Sequence, residues 1–401
     1  MQKIKSLPTV LLLSPFVFSF AFAMDLYIPV VAEMKDFFQT SQANIQLTLS
    51  LFMFAGGIGQ LFAGPLSDQF GRRKIIIISI LFFTLGSLLC TIANSIDLLI
   101  IGRIIESLGG CGMLVGSFAI VRDKFSGNDV AKMISFLNCG IAISPLFAPI
   151  IGGYLADWFG WRAEFIFLTV LGALLFFLAL FKIKESLPAE NRIKFDTSIF
   201  LRYWHILTNC AFLPYAICAS AGLTVFFTFF SSSPYIIINL LHVPIKHFGY
   251  YFFILGITFF IGSLISGKVA SKMGAFYTVV LGTFLMLAAG AIMFFWYRIN
   301  GLSTVEFLLP CTLAGVAGSL MMGAGAGGAI EPFGDMAGSA GALVGFLQFF
   351  ISSAIGSYVM HWEVTSTTPL ALTMIGLSMV TLAILGLTFR SLSAETMHIA
   401  R

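Results

Sequence analysis

A short polar turn, GPLSDQFGRRK, occupies residues 64–74 between two long apolar segments. Its glycines permit close backbone approach and positive φ angles. Its one acidic residue, Asp68, can accept hydrogen bonds from the backbone amides at the N-terminus of a neighbouring helix. This loop motif consists of Gly64, Asp68, Gly71, Arg72 and Arg73. A weaker copy, GKVASKMG, begins 203 residues later at 267–274. Because this separation is about half the chain, the sequence predicts two similar halves.

The composition is that of a membrane protein. Of 401 residues, 58% are hydrophobic and 10% are charged, and the mean hydropathy is +0.98. Soluble domains carry about 25% charged residues, and a membrane-spanning helix needs about 20 mostly apolar residues. Twelve segments meet this requirement: 8–31, 44–66, 74–95, 97–121, 131–155, 162–182, 210–237, 247–268, 275–297, 303–329, 336–360 and 368–389.

A polar stretch at 183–208 divides the predicted helices into six and six. We therefore predict an all-α membrane protein of twelve transmembrane helices in two six-helix pseudo-repeats. Its domains are an N-terminal bundle at 1–182, a cytoplasmic linker at 183–208 and a C-terminal bundle at 209–401. Parallel repeats of this kind place a substrate site near the bilayer midplane, between the halves.

Lysine and arginine positions predict the orientation of the chain. With a cytoplasmic N-terminus, 17 of the 22 Lys and Arg residues lie on the inner side and four on the outer side. The positive-inside rule therefore predicts that both termini are cytoplasmic. Lys3, Lys5 and the box AFA at 21–23 leave a cleaved signal peptide as an alternative. We favour a spanning helix, because the apolar run continues to Val31.

Three ionisable residues lie well inside predicted spans: Asp25, Arg103 and Glu106. A charge in the bilayer core costs about 2.5–3.5 kcal/mol or more, so such residues are usually functional. Asp25 and Arg103 each lie about six residues from the outer end of their helix, which is about 9 Å. Glu106 shares a helix face with Arg103. Glu164 and Glu306 are predicted to lie nearer the outer rim.

This arrangement predicts a proton site. Asp25 and Glu106 are expected to compete for Arg103, so that a proton arriving on Asp25 weakens one pairing and favours one conformation. The alternative is a static triad that only fixes helix packing.

A run of small residues and prolines fills the segment 140–153, which reads GIAISPLFAPIIGG. Proline removes a backbone donor and bends a helix, and small residues let another helix pack closely. The motif residues are Gly140, Pro145, Pro149, Gly152 and Gly153. They fit either a hinge for a gate or a merely structural kink.

Aromatic and polar side chains supply candidates for an apolar substrate cavity. The chain has 44 Phe residues, so any single one is weak evidence. The candidates are Tyr27, Asn138, Phe226, Phe230, Ser233 and Gln348. Neither a basic patch for nucleic acid nor a metal-ligand spacing is present, and GAGAGG at 323–328 follows no strand. We therefore predict no nucleic-acid partner, no metal and no cofactor.

In these motifs the chain resembles the major facilitator superfamily, and within it the twelve-span drug:proton antiporters of the bicyclomycin-resistance type. The loop motif is similar to the family's signature between its second and third helices. The segment 25–29 resembles its first-helix motif with a membrane acid, and 103–109 its fourth-helix motif. The segment 140–153 resembles its antiporter signature. The resemblance implies that Asp25 and Arg103 take part in proton coupling.

Two positions depart from the family pattern. Glu106 stands where Gln is usual, which adds a carboxylate beside Arg103, and Ala148 stands where Gly is usual before Pro149. The first departure suggests an altered proton relay, with Glu106 as a modulator.

The sequence as a whole predicts a transporter and not an enzyme. We expect a monomeric antiporter in the bacterial inner membrane that exchanges protons for a hydrophobic or amphiphilic small molecule. One alternative is a dedicated exporter of a single endogenous metabolite, such as a siderophore. Another is a proton symporter that imports a metabolite, and a receptor or enzyme built on a transporter shell is a third.

Overall fold

The computed structural model describes residues 3–125, 128–193, 196, 198–362 and 364–399. Residues 194, 195 and 197 of the predicted linker lie outside these ranges. Within the ranges, the regular elements are helices. The first seven are α1 (Lys3–Tyr27), α2 (Val31–Phe37), α3 (Gln42–Phe70), α4 (Arg72–Thr91), α5 (Ile96–Lys124), α6 (Asn128–Phe159) and α7 (Arg162–Lys182). The other six are α8 (Ser198–Leu207), α9 (Phe212–Pro234), α10 (Ile245–Asn300), α11 (Thr304–Ile330), α12 (Ala337–Met360) and α13 (Thr368–Ile399).

The spans agree with the predicted architecture. In the described residues, 11 helical segments are long and apolar enough to cross a membrane. One of them, α10, is 56 residues long and contains a non-helical residue, Gly274, that divides it into two spans. Twelve crossings result, so the predicted all-α membrane fold is confirmed and the chain is a multi-pass membrane protein.

The repeated glycine turn has the same backbone conformation in both halves. Gly71 has a φ of 97° and Gly274 a φ of 81°. This left-handed region favours glycine because it has no Cβ. Each glycine ends one span and allows the next to start at once, which explains the spacing seen in the sequence.

The described contacts divide the chain into two compact units. One comprises Met1–Asp196 with Pro244–Phe253, and the other comprises Thr197–Val243 with Ile254–Arg401. The boundary after Asp196 falls inside the stretch predicted to be the linker. The short segment Pro244–Phe253, at the start of α10, groups with the first unit because it packs on α6.

Equivalent close contacts recur inside each unit. A Cβ on Gly110 of α5 would lie 3.0 Å from the Phe20 ring of α1, and a Cβ on Gly318 of α11 would lie 2.9 Å from the Phe226 ring of α9. In each case a small residue lets two helices approach closely. The recurrence supports an internal repeat in packing as well as in sequence.

Two segments differ from the simple prediction. The first span does not end near Val31, because the turn Ile28–Val30 leads directly into α2. Pro29 lacks an N–H donor, so the α-helical ladder is replaced here by one 3₁₀ turn.

The predicted polar linker contains the amphipathic helix α8, which buries Tyr203 and exposes Trp204. Burial raises the pKa of Tyr203 to about 12, so this phenol stays neutral.

Candidate functional site

The candidate site is a buried cluster of charge in the first unit, centred on Arg103 of α5. The Arg103 side chain is completely inaccessible to solvent. Its Nη1 lies 2.6 Å from Glu106 Oε2 and donates to the carbonyl oxygen of Ala23 at 3.0 Å. Glu106 is equally buried, and its Oε1 accepts a 2.7 Å hydrogen bond from Ser87 Oγ of α4. Both oxygens of Glu106 are therefore paired.

Three aromatic rings surround the guanidinium. Arg103 Cζ lies 4.1 Å from the ring centroid of Phe52, 4.7 Å from that of Tyr27 and 5.9 Å from that of Phe165. Cations over aromatic faces gain about 2 kcal/mol when desolvated. Tyr27, expected to line a substrate cavity, is fully buried here, and its hydroxyl hydrogen-bonds Thr48 Oγ1 at 2.9 Å. It therefore helps to hold Arg103.

Asp25 lies next to this cluster but has a different partner. Its Oδ2 accepts a 2.6 Å hydrogen bond from Ser144 Oγ of α6, and its side chain is buried. Among the described contacts, Arg103 pairs with Glu106 and not with Asp25. The expected competition for Arg103 is therefore not formed in this arrangement.

Helix geometry explains the difference. Ala23, whose carbonyl oxygen binds Arg103, follows Phe20 by three residues, on the α1 face that packs on α5. Asp25 is two residues further, about 200° around the helix, and so faces α6. The predicted distance of about 9 Å between Asp25 and the outer end of its helix is also too short. The helical path continues from Asp25 to Phe37, about 18 Å away.

Glu164 is a member of the cluster that the sequence analysis placed at the rim. It lies in the first turn of α7, is completely buried, and has no hydrogen-bond partner at either carboxylate oxygen among the described residues. The α2 helix explains the burial, because Phe37 packs against Trp161 with ring centroids 5.2 Å apart. The apolar sequence that continues past Pro29 is the feature that could have predicted the burial of Glu164 by α2.

The second unit contains a separate buried acid, Glu306 of α11. Its Oε1 accepts a 2.8 Å hydrogen bond from Thr367 Oγ1, and its Oε2 has no partner among the described residues. Its backbone amide is capped by Ser303 Oγ at 3.1 Å. Glu306 is therefore a buried acid in the first turn of its helix, in a different unit from the Arg103 cluster.

The loop motif forms an ion-pair network at the other ends of these helices. Arg72 Nη1 lies 2.5 Å from Asp68 Oδ1 and donates to Ser67 Oγ at 2.7 Å. Arg72 Nε lies 3.0 Å from Asp123 Oδ2 of α5. Arg73 donates instead to the carbonyl oxygen of Leu180 at 2.9 Å. The motif thus ties α3, α4, α5 and α7 together. A Cβ on Gly64 of α3 would lie 4.0 Å from the Val115 side chain of α5.

The segment after α7 docks on the same network. Glu185 Oε1 accepts from the Arg72 amide at 2.9 Å, and Ser186 Oγ donates to Asp123 Oδ2 at 2.6 Å. A Cβ on Gly71 would lie 2.5 Å from Glu185 Oε2. This contact is not predictable from a local sequence pattern, because Glu185 is 113 residues from Arg72.

Arg72→Ala is expected to lower the free energy of unfolding by about 2–3 kcal/mol. Hydrogen bonds to charged groups contribute about 1.5–3 kcal/mol, and Asp68 is 44% exposed, so it keeps part of its solvation. Lys74→Ala removes an exposed cation from the same turn and is expected to change stability by less than about 0.5 kcal/mol. Thermal unfolding of both variants in detergent checks this, and equal losses would contradict it.

The proline and glycine motif lies on α6, which stays one helix through Pro145 and Pro149. Gly152 approaches the Leu26 carbonyl oxygen of α1, and a Cβ on Gly153 would lie 2.7 Å from the Ile245 carbonyl oxygen. Among the described atoms, none lies within 4 Å of the place of a Cβ on Gly140. The end of the motif at Gly152 and Gly153 is therefore packed closely against neighbouring backbone, while Ser144, in its middle, is the residue that contacts Asp25.

The other predicted cavity residues lie on three helices, α6, α9 and α12. Asn138 is exposed on α6. On α9, Phe226 and Phe230 make an edge-to-face contact with ring centroids 6.1 Å apart, and Ser233 is buried. Gln348 of α12 donates to the Ala219 carbonyl oxygen at 3.5 Å. A nearby cavity of about 10 Å³, lined by Phe226, is too small for a drug-sized molecule.

The family comparison matches most of the chain. The family described as Major Facilitator Superfamily matches residues 13–357. The bicyclomycin resistance protein homolog of Haemophilus influenzae is 30% identical and covers 88% of this chain and 89% of that protein. The chloramphenicol resistance protein of Pseudomonas aeruginosa is 30% identical, with 88% and 83% covered. Multidrug resistance protein D of Escherichia coli is 29% identical, with 84% of each chain covered.

Solved structures agree on the fold. A bacterial homolog of the human lysosomal transporter Spinster, inward-facing and occupied, has a TM-score of 0.75 at 14% identity, with 95% and 96% of the two chains covered. A D-xylose–proton symporter has a TM-score of 0.71 at 15% identity, with 94% and 97% covered. These matches are to transporters, not enzymes, and they span the loop motif and the Arg103 cluster alike: the chain belongs to the Major Facilitator Superfamily.

Proposed function

We propose that this protein exports hydrophobic or amphiphilic small molecules, including drugs, across the bacterial inner membrane in exchange for protons. The observation that carries the proposal is the set of three buried carboxyls in the first unit. Arg103 acts on Glu106 and Glu164, and Asp25 is buried on α1 with Ser144 as its hydrogen-bond partner. Relatives named for resistance to bicyclomycin, chloramphenicol and multiple drugs support export. The chain acts as a monomer with both termini in the cytoplasm, in keeping with the distribution of its Lys and Arg residues.

Asp25 is the proton-binding residue in this proposal. An ionised carboxylate in the bilayer is costly, so Asp25 stays protonated while the site is closed and releases its proton only where water reaches it. Ser144 supports the charged form by donating its hydroxyl hydrogen to Oδ2. Each protonation state therefore favours a different conformation, and a proton gradient shifts the population between them.

The two other motifs control the conformational change. The Arg72 network stabilises one conformation, because its ion pairs hold the adjacent ends of α3, α4 and α5 together. The α6 residues Pro145, Pro149, Gly152 and Gly153 permit α6 to move against its neighbours. Inward proton movement contributes about 2.3 kcal/mol per charge per 100 mV.

Transport by the purified protein tests this function. Liposomes that contain the protein in the inside-out orientation and have an acidic lumen should accumulate labelled bicyclomycin or chloramphenicol several-fold over protein-free liposomes. An uncoupler should abolish this extra accumulation. Accumulation only with an alkaline lumen would indicate symport instead. Accumulation unaffected by the uncoupler would exclude proton coupling.

A further inference from the structure

We propose that Glu164 is a second proton-binding residue, so that the buried acids of the first unit bind two exchangeable protons, one on Asp25 and one on Glu164. This inference rests on the proposed proton-coupled function and adds a residue that neither the motifs nor the family comparison assigns.

The surroundings of Glu164 favour a neutral carboxyl. Its side chain is completely buried, and both oxygens lack a hydrogen-bond partner among the described residues. A Cβ on Gly152 would lie 3.2 Å from Glu164 Oε1, so the carboxyl packs against the small-residue end of α6. An ionised carboxylate is not stable in such a place without a donor or a cation.

Several titratable groups lie around this carboxyl. The charges of Arg103 and Glu33 act on it directly, and Asp157 acts on Glu33. The groups on the surrounding helices are Tyr27 of α1, Glu33 of α2, Cys90 of α4, Arg103 and Glu106 of α5 and Asp157 of α6. Arg103 is the cation whose charge acts on Glu164. Arg162, two residues before Glu164 on α7, donates instead to the carbonyl oxygens of Thr91 and Ala93.

Charge balance then limits how many of the acids can be ionised together. One guanidinium neutralises one carboxylate, and Glu106 already holds Arg103 Nη1 at 2.6 Å. If Asp25 and Glu164 were also ionised, the closed cluster would bury two uncompensated negative charges. Two protons therefore remain bound while it is closed.

Arg103 has donors left to receive Glu164 once its proton is gone. Its Nε is buried without a partner among the described residues, and its Nη2 has the Met24 sulfur at 4.0 Å. When the O–H bond of Glu164 breaks, its electron pair stays on the carboxylate and the proton passes to water on the side to which the site opens. The guanidinium can then bridge Glu106 and Glu164.

Infrared titration of the full-length protein in lipid tests the proton sites without any substrate. Wild type should show carbonyl stretching bands of protonated carboxylic acids, and Glu164→Gln should remove one band that Asp25→Asn leaves in place. Glu306→Gln is the matched control, because it removes a buried acid of the other unit and should leave both bands. An unchanged carbonyl spectrum in Glu164→Gln at every pH would overturn the proposal.

Folding and stoichiometry complete the test. Glu164→Gln, a neutral isostere, should unfold at the same temperature as wild type. If the glutamine variant is unstable, Glu164→Asp replaces it and should show the carbonyl band of this site at a shifted frequency. In the liposome assay with bicyclomycin, accumulation should follow the square of the proton gradient in wild type and Glu306→Gln, and its first power in Glu164→Gln. An unchanged exponent in Glu164→Gln would overturn the proposal. If wild type carried no drug, the proposed function would fail, and the infrared bands alone would decide the assignment of Glu164.

Discussion

Replacement of Asp25 by asparagine is expected to abolish proton-driven transport while leaving the fold intact. The amide has the size of the carboxyl and can still accept the Ser144 hydrogen bond through its oxygen. It cannot bind or release a proton, so the gradient no longer selects between conformations. The measurement is bicyclomycin accumulation in liposomes with an acidic lumen, together with thermal unfolding in detergent.

Ser144→Ala is the matched control for this variant. It removes the Ser144 hydrogen bond, which Asp25→Asn can keep, but it retains the Asp25 carboxyl, so transport should persist. Gradient-dependent accumulation by Asp25→Asn at the wild-type rate would mean that the proton is carried elsewhere.

Arg103→Met is expected to have the largest effect on stability, a loss of about 3–5 kcal/mol. The substitution removes the charge that compensates Glu106 and leaves an acid at zero exposure in the membrane. It also ends the contacts with the Tyr27 and Phe52 rings. Transport should be lost as well. Equilibrium unfolding in mixed micelles measures the stability.

A second substitution separates the charge effect from the packing effect. Arg103→Met with Glu106→Gln removes both members of the ion pair, so no uncompensated charge remains, and at least half of the lost stability should return. Paired removal of a buried ion pair is often far less damaging than removal of one partner. A double variant no more stable than Arg103→Met would show that packing around the guanidinium, and not charge, dominates.

The spans were predictable because a crossing depends on a local property, about 20 apolar residues in sequence. The turn at Gly71 was predictable for a similar reason, since its positive φ and its following arginines lie within a few residues. Asp25, Arg103 and Glu106 could be identified because charges are rare in such segments.

The pairing within the site could not be predicted in the same way. Whether Asp25 faces α5 or α6 depends on how α1 is rotated in the bundle, which the packing of Phe20 on Gly110 decides. The burial of Glu164 depends on α2 and on the contact between Phe37 and Trp161. These contacts join residues more than 80 positions apart, so a local pattern does not reveal them.

The docking of Glu185 and Ser186 on the Arg72 network bears on how this protein could be divided into two separately expressed fragments. A break after Lys182, where the last N-terminal span ends, would remove the groups that bind the Arg72 amide and Asp123. A break after Asp196 would keep them with the first unit. The N-terminal fragment that ends at Asp196 is the one that should accumulate in the membrane on its own.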